Sequence, residues 1–126
     1  MADSVIHFEI PLDDADRGHG FYRDVFGWDI QPMPEFEYAF AMTSPVDEQG
    51  APSKPGAING GMMKREEPLS KPVITIGVEN IDATLAKVES AGGSTVMAKQ
   101  AVADMGFTAY FHDSEGNVMG LWQNAG

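Results

Sequence analysis

The stretch GFTAYFHDSEGNVMGLWQ, residues 106–123, decides how this chain is read. Two apolar runs, Phe107–Phe111 and Val118–Trp122, flank Asp113-Ser114-Glu115-Gly116-Asn117. Short polar side chains that bond the backbone, followed by a glycine able to take φ > 0, are the chemistry of a tight turn. With apolar strands on either side, the segment is a β-hairpin.

Upstream of the hairpin, Val73–Val78 reads as a strand and Asp82–Ala91 as a helix with Ile81, Leu85 and Val88 turned inward. Gly92-Gly93 stops that helix, and Ser94–Met97 begins the next strand. The same order occurs once before. Val5–Ile10 alternates, with Ile6, Phe8 and Ile10 on one face and Val5, His7 and Glu9 on the other, and Pro11 is expected to end it. Asp13, Asp14 and Asp16 offer an N-cap and first-turn acids to a helix with Phe21, Tyr22, Val25 and Phe26 on its buried side, stopped by Gly27. Three strands follow: Trp28–Met33, interrupted by Pro32 and Pro34; Glu37–Thr43; and Ala57–Lys64, where Gly60-Gly61 suggests a bulge or a close approach to the backbone. Between the last two lies the polar loop Pro45–Gly56. Subtracting 66 aligns the halves without a gap: His7 with Val73, Ile10 with Ile76, Asp16 with Asp82, Val25 with Ala91, Gly27 with Gly93. Element order and apolar phase agree, which makes a duplication the better reading. The chain is expected to be one α+β domain over residues 1–126, with module 1 at about 4–64, a linker at 65–72 and module 2 at about 73–123.

The terminal D-x-x-G-N-x-x-x-L-W hairpin, the opening HFEIP strand, the FYRDVFGW helix end and the PVITIGVENID second start together resemble the vicinal oxygen chelate superfamily of glyoxalase I, extradiol dioxygenases and bleomycin-resistance proteins. The resemblance covers nearly the whole chain. It implies two tandem βαβββ modules forming a cupped mixed sheet with helices on the outer face, and homodimers. It also implies, in metal-dependent members, four ligand positions, on the first and last strand of each module. Carried onto this sequence they fall on His7, near Asn59–Gly61, on Val73 and on Gly120. His7 matches. Val73 and Gly120 have no donor atom, and Asn59 is a poor ligand for zinc or iron. A catalytic divalent ion ordinarily needs at least three protein donors. His19, on the first helix, and His112, beside the hairpin turn, do not complete the set. No cofactor is therefore expected and a divalent metal is not anticipated.

The strand parity that packs Ile6, Phe8 and Ile10 under the helices sends His7 and Glu9 into the cup, with Val73, Thr75 and Gly77 from the second module and Val118, Gly120 and Trp122 from the last strand. Phe40 and Trp122 supply an aromatic wall, while Gly60, Gly61 and Gly120 are expected to leave room where ligands stand in the metal enzymes. His7, Glu9, Phe40, Thr75, Gly120 and Trp122 are the candidate ligand-binding residues, an apolar and aromatic set with a few polar groups. His7 and Glu9, two apart on one face with Cβ atoms about 6–7 Å apart, form a candidate acid–base pair. The bland alternative is a relic histidine bonded to a neighbouring carbonyl or water and a glutamate answering a backbone or Arg donor.

Bulk properties exclude other classes. A net charge of −11 and no basic stripe argue against a nucleic-acid partner. No apolar run approaches the ~18 residues of a membrane span, and the N-terminus lacks the basic and apolar regions of a signal peptide, so the expected location is cytoplasmic. The absence of Cys removes disulfides and thiol chemistry together. Three functions remain in play. The leading one is a domain binding an apolar or aromatic small molecule without a family-type metal. The others are a metal-dependent lyase, isomerase or dioxygenase of the glyoxalase type, and a metal-free acid–base enzyme using Glu9 and His7.

Overall fold

The structure, a computed structural model, describes residues 2–126. Its elements run β1 (Val5–Leu12), α1 (Ala15–Phe26), β2 (Asp29–Met33), a 3₁₀ turn at Pro34–Phe36, β3 (Tyr38–Met42), β4 (Gly60–Lys64), β5 (Val73–Gly77), α2 (Ile81–Ser90), β6 (Ser94–Val102), β7 (Gly106–His112) and β8 (Val118–Asn124). That is β-α-β-β-β twice, the α+β order expected from the sequence. Two compact units divide the chain: His7–Pro72, and the N-terminal residues through Ile6 together with Val73–Gly126.

In the unit His7–Pro72 the strands lie in the order β2-β3-β4-β1. β1 and β4 run parallel, with Glu9 opposite Gly61, and β4 and β3 run antiparallel, with Phe40 also opposite Gly61. β2 pairs only with β3, and Pro32 sits within it, as an edge strand allows. Pro11 does not end β1, which runs on to Leu12. In a parallel pair alternate residues direct their N–H groups away from a given neighbour, so a proline is tolerated there.

Asp14 caps α1, its carboxylate accepting from the Arg17 N–H at 3.0 Å, and Gly27 ends the helix in the left-handed conformation with φ 71°. The apolar side assigned to this helix is overturned. Phe21, Val25 and Phe26 are 54%, 56% and 59% exposed, and no residue of α1 is buried. Its contact stripe is instead Gly18 and Tyr22. A Cβ on Gly18 would stand 2.6 Å from Leu12, and Tyr22 packs with Phe8, Ile10, Leu12 and Trp28 on the core of Ile30, Ala39, Ala41 and Met62. The small side chains at 18, 39 and 41 fix which edge of the helix comes close.

In the second unit the order is β5-β8-β7-β6, again with the first strand parallel to the fourth. Asn80 caps α2, and Ile81 and Leu85 pack on Ala109, Phe111 and Leu121, with Val88 alongside. This is the face anticipated for the helix. The hairpin turn is held by Asp113, whose carboxylate accepts from the Glu115 and Asn117 backbone N–H groups, both at 2.9 Å, while Gly116 takes φ 82°. Ile6, expected under a helix, is 44% exposed.

Candidate functional site

The alternation of β1 turns Phe8, Ile10 and Leu12 to the helix-side core, and so turns His7 and Glu9 to the opposite face. On that face the two are joined by a residue the sequence reading did not single out. The Tyr38 hydroxyl donates to Glu9 Oε2 at 3.0 Å and lies 3.0 Å from His7 Nε2. Phe40 flanks it edge-on, with ring centroids 5.9 Å apart. Glu9 is buried and His7 half-buried.

Tyr38 reaches this position from two strands away. Neighbouring strands are about 4.8 Å apart, so a side chain on β3 must cross β4 to touch β1. It crosses at Gly61. A Cβ there would stand 1.7 Å from the Tyr38 hydroxyl and 2.0 Å from its Cζ. The close approach suggested by Gly60-Gly61 is thus a side chain passing over backbone. Gly60 does the same on the other face, where its missing Cβ is occupied by the Phe8 ring at 2.5 Å. The expectation that these glycines leave open room is corrected, since neighbouring side chains fill the volumes. The same holds in the second unit, where a Cβ on Gly120 would meet Thr75 Oγ1 at 2.8 Å and Val73 Cγ1 at 3.4 Å.

Burial pushes the His7 pKa down, opposed by the Glu9 charge and by a hydrogen bond to the Asn59 backbone. The Asn59 side chain is committed elsewhere. Its Oδ1 accepts from the Thr43 and Ser44 N–H groups at 2.7 and 2.9 Å, and its Nδ2 donates to the Ser44 carbonyl at 3.1 Å.

In the second unit Thr75 and Gly120 face each other in register and Gly77 faces Trp122. Thr75 is buried, and the Trp122 indole N–H donates to Asn124 Oδ1 at 2.8 Å. The structure therefore groups His7, Glu9 and Phe40 in one unit and Thr75, Gly120 and Trp122 in the other. His19 lies on α1, and His112, at the hairpin, is 3.4 Å from Ser94 Oγ through Nδ1. The unit His7–Pro72 also has a cleft of about 480 Å³ that excludes His7, Glu9 and Phe40. Leu12, Ala15, His19, Pro34, Ala39 and Met62 are among its walls.

The residues at the superfamily's ligand positions do not fit a divalent ion. His7 Nε2 is engaged by Tyr38, the Asn59 amide is engaged by Thr43 and Ser44, and Val73 and Gly120 offer no donor. Among the described residues no group of three or more His, Cys, Asp or Glu could hold a metal ion. No helix among them is long and apolar enough to cross a membrane.

Residues 4–44 match the family model described as bleomycin resistance protein-like N-terminal. A glyoxylase-like domain-containing protein of Didymella fabae is 31% identical over 126 residues, covering 94% of this chain and 91% of that one. The chain belongs to the glyoxalase/bleomycin-resistance/dioxygenase superfamily. A protein of Mycobacterium tuberculosis named "Putative glyoxylase CFP32" is 29% identical over 122 residues, or 91% of this chain. The chain spans 43% of the length of that relative. Among solved structures, a superfamily member from Vibrio splendidus aligns with a TM-score of 0.62 at 16% identity, covering 98% of this chain and 99% of the other. Streptomyces coelicolor methylmalonyl-CoA epimerase, in complex with 2-nitronate-propionyl-CoA, aligns with a TM-score of 0.64 at 19% identity and covers 97% of both chains. Both likenesses bear on the fold alone.

Proposed function

We propose that this superfamily domain binds an apolar or aromatic small molecule and does so without the family's divalent metal. The observation that carries the reading is the His7–Tyr38–Glu9 chain of hydrogen bonds. It ties up the one side chain that matches a metal-ligand position, and Gly61 is shaped to admit it. Phe40 beside Tyr38 gives that polar group an aromatic border, the composition of small-molecule sites. The organic ligand of the epimerase neighbour supports small-molecule binding as a use of the fold.

The test is elemental analysis of protein purified without a metal-affinity tag, with thermal melts in EDTA and in added Ni²⁺, Zn²⁺, Mn²⁺ and Fe²⁺. An ion at a hundred times its Kd stabilises a fold by about 2.7 kcal/mol. The expected result is no stoichiometric ion and no such shift, followed by stabilisation from members of an apolar and aromatic compound library. A stoichiometric ion that raises Tm would overturn the metal-free reading and favour a glyoxalase-type enzyme.

A second reading, a metal-free acid–base enzyme, is favoured by the continuity of the same chain. A buried carboxylate and a half-buried imidazole, joined through a hydroxyl, are the components of a proton-transfer site. Once a substrate is found, Glu9→Gln should abolish turnover while leaving binding in place. Unchanged turnover would refute the reading.

A further inference from the structure

We infer that the cleft beneath the first turns of α1 is a binding site for a small organic cation with an apolar body, separate from the face that carries His7, Glu9 and Phe40.

The repeat itself accounts for the cleft. The caps Asp14 and Asn80 stand at the offset that aligns the two halves, so α1 and α2 start in register. At matched positions α2 carries Ile81, Leu85 and Val88, whereas α1 carries Ala15, His19 and Tyr22. Ile81 and Leu85 are buried against Ala109, Phe111 and Leu121. In α1 Tyr22 packs on the core of Ile30, Ala39, Ala41 and Met62, but Ala15 ends at its Cβ and His19 stays half-buried. Both are walls of the cleft of about 480 Å³, together with Ala39 and Met62. The volume is within the range of small-molecule sites, about 300–1,000 Å³.

The walls select the charge of the occupant. Asp13, Asp16, Glu37 and Lys64 stand on them. Asp13 accepts from Arg65 Nε at 2.8 Å, and the Lys64 ammonium lies 3.9 Å from Glu66, so these two are answered within the protein. Asp16 and Glu37 form no ion pair among the described residues. Burial and the Arg23 charge lower the His19 pKa, against the pull of Asp16, so His19 adds no positive charge near neutrality. The positive end of α1 is met by the Asp14 cap. An excess of negative charge is left above an apolar floor. A bare metal ion does not suit it, because no group of three or more His, Asp or Glu among the described residues could hold one. A cation with an apolar body does. Its body covers Ala39 and Met62, which supplies the affinity, and the exposed carboxylates set the sign of its head group.

The experiment titrates the whole chain with phenethylammonium, its neutral isostere 2-phenylethanol and the anion 3-phenylpropanoate, read on the side-chain resonances of Ala15, His19, Ala39 and Met62. The cation should shift them saturably, binding up to about fivefold more tightly than the alcohol for each of the two carboxylates. The anion should bind most weakly. D16N/E37Q should bring the cation down to the affinity of the alcohol. A15I/H19L puts the side chains of α2 into the cleft, and should fold and lose the shifts. No saturable shift, equal affinity for cation and alcohol, or tighter binding of the anion would overturn the inference. So would shifts confined to the His7 and Phe40 rings, or shifts that persist at Met62 in A15I/H19L. If A15I/H19L does not fold, D16N/E37Q still decides, since both residues are exposed; a cation preference unchanged in that variant would overturn the inference. The resonances read belong to the cleft, so failure here and failure of the metal-free reading are separate outcomes.

Discussion

Replacing Gly61 by alanine sets local preference against tertiary structure. Gly61 is not among the residues with positive φ, so alanine fits the backbone. In a strand the change should stabilise by about 0.5–1 kcal/mol through lost chain entropy. The neighbours reverse that sign. The new Cβ would stand 1.7 Å from the Tyr38 hydroxyl and 2.0 Å from Cζ, so the ring must leave its seat. Leaving it breaks the bond to the Glu9 carboxylate, worth about 1.5–3 kcal/mol, and the contact with His7, worth about 0.5–1.5 kcal/mol. After the entropy gain is subtracted, G61A should cost about 1–4 kcal/mol. The assay is urea unfolding followed by circular dichroism, repeated in a Tyr38→Ala background. There the obstructing ring is gone, and G61A should be neutral or stabilising by up to about 1 kcal/mol. A G61A protein as stable as the wild type, or one that loses as much stability in the Tyr38→Ala background, would refute the account of Tyr38 crossing over Gly61.

Three further outcomes are expected. Burial lowers the His7 pKa in the folded state, so between that value and the ordinary imidazole value of about 6.5 the unfolded chain binds more protons. His7 therefore contributes stability that is complete above about pH 6.5 and is lost as pH falls through the folded pKa; urea midpoints from about pH 8 to 5 should fall less steeply for H7Q, and parallel curves would contradict the burial argument. N59A removes the group that holds the Thr43 and Ser44 N–H groups and the Ser44 carbonyl, and should cost about 2–4 kcal/mol with selective loss of amide-exchange protection at Thr43 and Ser44; unchanged protection there would count against this anchor. F26S, on the exposed side of α1, should change stability by no more than about 0.5 kcal/mol, whereas L85A in the buried contact of α2 should cost about 2–5 kcal/mol; comparable losses in denaturant unfolding would mean that the outer face of α1 is covered.

Sequence by itself determined what short-range chemistry controls. The Asp113–Asn117 turn, the Asp14 cap and the Gly27 stop are each decided within a few residues, because a side chain bonds its own neighbouring backbone or a glycine takes a left-handed φ. Strand period placed His7 and Glu9 on one face for the same local reason, and element order carried the βαβββ repeat. Two things were decided only by tertiary structure. The inward edge of α1 was one: apolar spacing pointed to Phe21, Val25 and Phe26, but the close contact lies where Gly18 admits Leu12. The bridge between His7 and Glu9 was the other. Tyr38 lies 29 residues from Glu9 and 31 from His7, and no local rule brings them together. The register that sets both Glu9 and Phe40 opposite Gly61 does, because only at a residue without a side chain can one strand's phenol cross its neighbour to reach the strand beyond.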